Sequence, residues 1–184
     1  MNLTKINIEK LVQGSNTYPS WTTNSVYPLK AQSNEKNTLI YYKVCSGRIV
    51  SRTFPKEIDL SPNFCYVLGL LKGEGSTSLG KSNYRRLTIT NSDPEIINAV
   101  LDELDKSNFF KKSDIINKSV HLLHFTKPKE DVINYWSKSL RLSKTRFKCF
   151  NSKTKTSEYG VCHVYISNVL LRRVIDLIQT KFTK

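Results

Sequence analysis

Negative charge is scarce in this chain of 184 residues: 15 aspartates and glutamates stand against 29 lysines and arginines, leaving a formal +14. A compact fold with that excess repels itself unless a polyanion takes up the charge, so nucleic acid heads the partner classes and an anionic membrane surface follows. Long apolar runs are also missing. None approaches the roughly 20 residues that a bilayer span requires, so no membrane association is expected. The opening Met1-Asn2-Leu3-Thr4-Lys5-Ile6-Asn7 lacks the apolar stretch of a secretory signal, from which an intracellular protein is expected. Cysteine and histidine are few and unpatterned: Cys45, Cys65, Cys149 and Cys162 contain no CxxC pair, and His121, His124 and His163 form no HExxH. Free thiols in a reducing compartment are therefore expected rather than a structural zinc site. What is present excludes wholesale disorder, because 39% of the residues are hydrophobic and 10% aromatic. The length allows one domain, or one domain with an extension, and a sizeable core.

Residues 1–38 are rich in Asn, Ser, Thr and Pro, with one short helical stretch over Ile8 to Val12. From Thr38 to Val50 the pattern predicts two strands turning at Ser46-Gly47. Residues 1–53 are accordingly expected to form an N-terminal extension with a β-hairpin, and 54–184 the main domain. In the latter, Ser61-Pro62 is a helix start signal, followed by the apolar run Phe64 to Leu71 and ended by Gly73-Glu74-Gly75. Ser76 to Leu79 and Tyr84 to Asn91 alternate as a hairpin across Gly80-Lys81-Ser82-Asn83. Asp93-Pro94-Glu95 caps a second helix with Ile96, Ile97, Val100, Leu101 and Leu104 on one face. A strand over Val120 to Phe125, a helix over about 129–140, a hairpin pairing Arg146 to Phe150 with Tyr159 to Ile166, and a final helix over about 168–182 complete the order.

That order predicts an α+β fold with helices on one face of a curved antiparallel sheet. The two-residue period of a strand then sorts the side chains. Leu87 and Ile89 point to the core, and Tyr84, Arg86, Thr88 and Thr90 point away. Likewise Phe147, Cys149, Cys162, Val164 and Ile166 face inward, leaving Arg146, Lys148, His163 and Tyr165 outside. The side of Val120 to Phe125 is open, since apolar residues fall on both faces, and His121-x-x-His124 reads as a strand feature rather than a ligand set. Arg141, Lys144, Arg146, Lys148, Lys153 and Lys155 all fall within 141–155, which holds no acidic residue.

The segment Val67-Leu68-Gly69-Leu70-Leu71-Lys72-Gly73-Glu74-Gly75-Ser76 resembles the motif of LAGLIDADG homing endonucleases, and Phe54-Pro55-Lys56 with Leu60-Ser61-Pro62 resembles its usual lead-in. Tyr159-Gly160-Val161 and Ile166-Ser167-Asn168-Val169-Leu170 are similar to the end of such a domain. The resemblance is specific over 54–91, softer to 184, and does not cover 1–38. Lys72 and Glu74 stand where the family name has aspartates, and the helix near 129–140 interrupts the simpler αββαββα order. The resemblance implies a site-specific DNA endonuclease that cuts double-stranded DNA as a homodimer. Its motif helices would pack through Leu68, Gly69, Lys72 and Gly73.

In this reading Glu74 is the catalytic carboxylate, and with the carbonyl of Gly73 it holds magnesium at the scissile phosphate. A carboxylate at a helix C-terminus is unfavourable by roughly 0.3–1 kcal/mol when exposed, and a divalent cation compensates it. The implied DNA face comprises Ser76, Ser78, Lys81, Tyr84, Arg86, Thr88, Thr90, Lys144, Arg146, Lys148, His163 and Tyr165, set in the major groove. An alternative of the same fold binds nucleic acid without cutting, as an intron RNA splicing maturase or a transcription regulator. Gly75 to Ser82 also satisfies GxxxxGK[ST], but the residues after Ser82 alternate as a strand where a phosphate loop needs a helix, so no nucleotide cofactor is expected. Residues 128–184 hold 12 basic and 4 acidic side chains, so the excess charge is concentrated around the expected outer hairpin. Affinity for duplex DNA should therefore fall steeply with salt, its logarithm dropping linearly with log[salt] by about 0.9 per phosphate neutralised. A salt titration by fluorescence anisotropy checks this, and a flat response would refute it.

Overall fold

A computed structural model describes residues 5–13, 29–44, 46–73 and 86–182. It is a mixed α+β structure of three sheets and five α-helices among those residues. The N-terminal part contributes β1 (Lys5–Asn7), α1 (Ile8–Gln13), β2 (Lys30–Ser33), β3 (Asn37–Lys43), β4 (Ile49–Pro55) and β5 (Glu57–Asp59). Strands β2, β3 and β4 form an antiparallel meander. The β3–β4 turn closes through Gly47, whose φ of +80° suits glycine and whose amide donates to the Val44 carbonyl at 2.8 Å. Strand β1 pairs with β5, which joins the chain's beginning to the lead-in of the next helix.

Helix α2 (Pro62–Gly73) starts as its sequence predicts, with Ser61 Oγ accepting from the Phe64 amide at 3.0 Å. Helix α3 (Pro94–Lys106) is capped by Asp93, whose carboxylate accepts from the Glu95 amide at 2.8 Å. Its buried residues are Ile97, Val100, Leu101 and Leu104. Helix α4 (Lys129–Leu140) buries Val132, Trp136 and Leu140 and ends on Arg141 in the left-handed region. Helix α5 (Val169–Phe182) buries Leu170, Leu171, Val174, Ile175 and Ile178, the residues its period selects.

The main sheet has the order β6 (Leu87–Asn91), β9 (Val161–Ile166), β7 (Val120–Leu123), β8 (Phe147–Cys149). This corrects the second hairpin. Strand β8 pairs in parallel with β7 and not with β9, whereas β9 pairs antiparallel with both β6 and β7. The physical reason is α4, which serves as the crossover that a parallel pair requires. Residues 151–158 then fold back across the end of β7, where the His124 carbonyl accepts from Thr156 and Phe125 bridges Ser157. The chain thus enters β9 from the β7 side. The earlier half of the expected first hairpin, Ser76 to Leu79, lies outside the described residues.

One contiguous core runs from Ile6, Ile8 and Val12 through Ile40 and Phe54 to α2, α3, α5 and the inner face of the main sheet. The 53/54 division falls inside β4. Phe109 locks the two parts, its ring centroid 5.6 Å from those of Phe54 and Phe64, while Arg52 donates to its carbonyl at 2.8 Å. Gly160 marks the tightest passage: φ is +72°, and a Cβ there would collide with the Leu123 carbonyl oxygen. Gly160→Ala should therefore cost about 2–5 kcal/mol, combining left-handed strain with overpacking. Gly47→Ala, where only the far end of Lys43 is near at 3.9 Å, should cost about 1–2 kcal/mol. Denaturant melts of the two variants check the contrast.

Candidate nucleic-acid interface

The main sheet has helices on one side and an open side opposite. Along β9, Cys162, Val164 and Ile166 are buried while Val161, His163 and Tyr165 are partly exposed, and β7 repeats the pattern with Val120 and Leu122 inside and His121 and Leu123 outside. Strand register aligns Thr90, His163, His121 and Lys148 in one row across all four strands. Thr90 Oγ1 lies 3.0 Å from His163 Nδ1. A neighbouring row of rings and cations crosses the same face. The Arg86 guanidinium sits 4.1 Å from the Tyr165 ring centroid, Tyr165 is 4.6 Å from His121, His121 is 4.6 Å from Phe150, and Lys148 Nζ is 4.7 Å above Phe150.

Of the residues expected on the DNA face, Arg86, Thr90, Lys148, His163 and Tyr165 come together here. Thr88 lies on the same side of its strand but is only 5% exposed, directly opposite the taller Tyr165, so it is not offered as a contact. Lys144 and Arg146 occupy a 3₁₀ turn before β8 rather than a strand, with Ser143 Oγ accepting from the Thr145 amide. Ser76, Ser78, Lys81 and Tyr84 lie outside the described residues, as do Glu74 and the phosphate-loop match. The next described element, β6, is a strand and not the helix such a loop needs. Sequence reasoning missed His121 and Phe150. Phe150 stands two residues after Lys148 and shares its face by period alone, whereas His121 becomes assignable only through the register with β8.

Beyond the sheet's end, residues 151–158 carry Lys153 and Lys155, both exposed. His124 anchors this loop, with Nδ1 2.9 Å from the Thr154 carbonyl and 2.8 Å from Ser152 Oγ. No residue of 141–155 forms an ion pair among the described residues; the acids are used elsewhere, as in Lys112–Asp102 at 2.6 Å and Lys111–Asp105 at 2.9 Å. The Lys111 ammonium, followed by the Lys112 amide, holds the Asp105 carboxyl below its ordinary range. Positive charge is left for the open side and its adjoining loop.

At the other candidate locus, α2 ends at Gly73. Leu68 is on the core side, its carbonyl accepting from Gln179 at 2.9 Å, so it does not belong to the exposed face. Cys65, Tyr66, Gly69, Lys72 and Gly73 form that face, and a Cβ added at Gly69 or Gly73 would meet nothing within 4 Å. Burial pushes the Cys162 thiol up, and Cys149 likewise, so neither offers a reactive thiolate. Among the described residues no cluster of three or more His, Cys, Asp or Glu could hold a metal. No helix among them is long and apolar enough to cross a membrane. No protein family, curated protein or solved structure matches the chain.

Burial holds His163 below 6.5, with His121 and His124 adding repulsion. Burial also lowers His121, opposed by its bond to the Lys118 carbonyl and reinforced by Lys148 and Arg86. Both are bases that the fold keeps neutral, so the unfolded chain binds more protons once pH falls below about 6.5. Stability should be insensitive to these groups above that pH and decline as pH drops from 6.5 toward 5. Melting temperatures across that range should show the decline, and a His121→Phe, His163→Asn double variant should flatten it.

Proposed function

We propose that this chain is a site-specific, magnesium-dependent DNA endonuclease of the LAGLIDADG homing type, acting as a homodimer. The observation that carries the reading is the open face of the main sheet, where Arg86, Thr90, His163, Tyr165 and Lys148 converge opposite the helical layer. Bidentate or single hydrogen bonds from such side chains read base edges in the major groove, and lysines of the 151–158 loop hold adjacent phosphates. The exposed flank of α2, with open space at Gly69 and Gly73, supports close approach of a second α2. Twofold symmetry would supply one Glu74 for each DNA strand.

The residues at the end of α2 suit a hard divalent cation. Gly73 is the last described residue of α2 and is exposed, toward the end of the helix where the dipole is negative. Glu74 follows and would complete an oxygen donor set with the Gly73 carbonyl. A magnesium ion bound there supplies charge neutralisation at phosphate and activation of water. The protein's own part is to orient the duplex on the sheet and to bring the two acidic ends to the scissile phosphates.

Incubation with magnesium and a plasmid library of candidate sites should give discrete double-strand cuts. Glu74→Gln should reduce cutting by at least about 10³-fold while leaving DNA affinity within a few-fold, as removal of a metal-holding carboxylate affects the transition state rather than binding. Specific binding without cleavage by the unaltered protein would remove the nuclease claim and leave the non-cleaving alternative.

A further inference from the structure

Arg86, Tyr165, His121, Phe150 and Lys148 do not stand on the open face as independent groups. Tyr165 belongs to β9, His121 to β7 and Phe150 follows β8, so the three rings sit on three adjacent strands. Strands are spaced about 4.8 Å apart, which puts the Tyr165 and Phe150 positions about 10 Å from one another, beyond the 4.5–7 Å reach of a ring–ring contact. The ring at 121 fills that gap at 4.6 Å from each, edge-on to Tyr165 at 70° and tilted 52° to Phe150. Its own orientation is set from below, Nε2 lying 3.1 Å from the Lys118 carbonyl, which requires the proton on that nitrogen. Each outer ring in turn carries a cation: Arg86 rests on Tyr165 and Lys148 on Phe150.

We propose that His121 is a positioning residue for nucleic-acid recognition, coupling the Tyr165–Arg86 pair to the Phe150–Lys148 pair so that two cations toward opposite edges of the open face keep one fixed separation. The inference rests on the open face being the nucleic-acid interface. Two flexible cations attract any phosphate array, whereas two cations at a fixed spacing favour the duplex whose groups match it. Removing the ring leaves the number of charges unchanged, so the salt slope stays the same while sequence discrimination falls.

The test uses the full chain. A duplex is selected from a random-centre library by the unaltered protein, and dissociation constants are measured for it and for a shuffled duplex at about 50 and 200 mM salt. His121→Leu keeps apolar bulk without a ring, and His121→Phe keeps the ring without its nitrogens; both should melt within a few degrees of the parent. His121→Leu should lose about tenfold on the selected duplex with no more than about twofold change on the shuffled one and the same salt slope. His121→Phe should recover to within about twofold. Equal behaviour of His121→Leu and the parent on the selected duplex overturns the inference alone. So does a loss in His121→Phe as large as in His121→Leu, which would assign the imidazole nitrogens a direct contact. Failure of the unaltered protein to select any duplex overturns the interface reading and this inference with it.

Discussion

The two-residue period of β9 is the constraint on which the rest of the structure depends. The strand is last in the chain but second in the sheet, hydrogen-bonded to β6 on one side and β7 on the other. Cys162, Val164 and Ile166 close the core from that position, and the residues between them, Val161, His163 and Tyr165, make the centre of the open face. A slip of one residue would exchange the two sets, burying a histidine and a tyrosine in the core and exposing three apolar side chains. The register is held at its entrance by Gly160, pressed against Leu123 and Phe125, and by Trp136 donating to the Tyr159 carbonyl at 2.8 Å. Tyr135 stacks on Tyr159 at 3.9 Å beside it. Core and open face are therefore set by one register, and its pairings are all distant in sequence, which slows folding relative to local pairings.

Charge is sorted along the same division. Acidic residues cluster on and after α3, where Asp102 and Asp105 engage Lys112 and Lys111, and Asp114 engages Arg52. Arg172 is paired within its own helix with Asp176, and Lys127 with Glu158 at the base of the loop. These pairs are mostly exposed and individually contribute little to stability. Each neutralises its own cation, whereas Lys148, Lys153 and Lys155 form no ion pair among the described residues.

How much of this the sequence could reveal differs by element, for physical reasons. Helix caps are local, so Ser61 and Asp93 could be read directly, and the period of α5 selected its buried apolar residues, though not the buried Arg173. The inner faces of β6 and β9 were equally legible, because alternation with apolar residues is strict there. Strand β7 was not, since Leu123 on the open side is apolar too and the left-handed His124 breaks the alternation before Phe125, which packs against the core. The partner of β8 was misread because a hairpin is the shortest connection, and nothing local in Arg146 to Phe150 announces that α4 has already delivered the chain to the far edge. The motif that suggested a function runs from Val67 to Ser76 and the described part of α2 stops at Gly73, so Glu74 is read from sequence alone.

The N-terminal part covers the helical layer, while the open side of the main sheet and the α2 flank stay exposed among the described residues. Helix α5 is amphipathic, and its apolar stripe of Leu170, Leu171, Val174, Ile175 and Ile178 is buried. Its inner stripe meets the main sheet, and Arg173, only 4% exposed, lies 5.4 Å from the Tyr42 ring of β3. Helix α1 contributes Ile8 and Val12 to the same core, and Ile40 and Phe54 join from the meander. The extension is thus a second cover for the helical layer. With that layer closed from both sides, Tyr66 at 58% exposure and the glycines behind it form an uncovered helical stripe of α2, and the main sheet keeps its uncovered face. Gly69, exposed in the interior of α2, costs that helix about 0.5–1 kcal/mol relative to alanine.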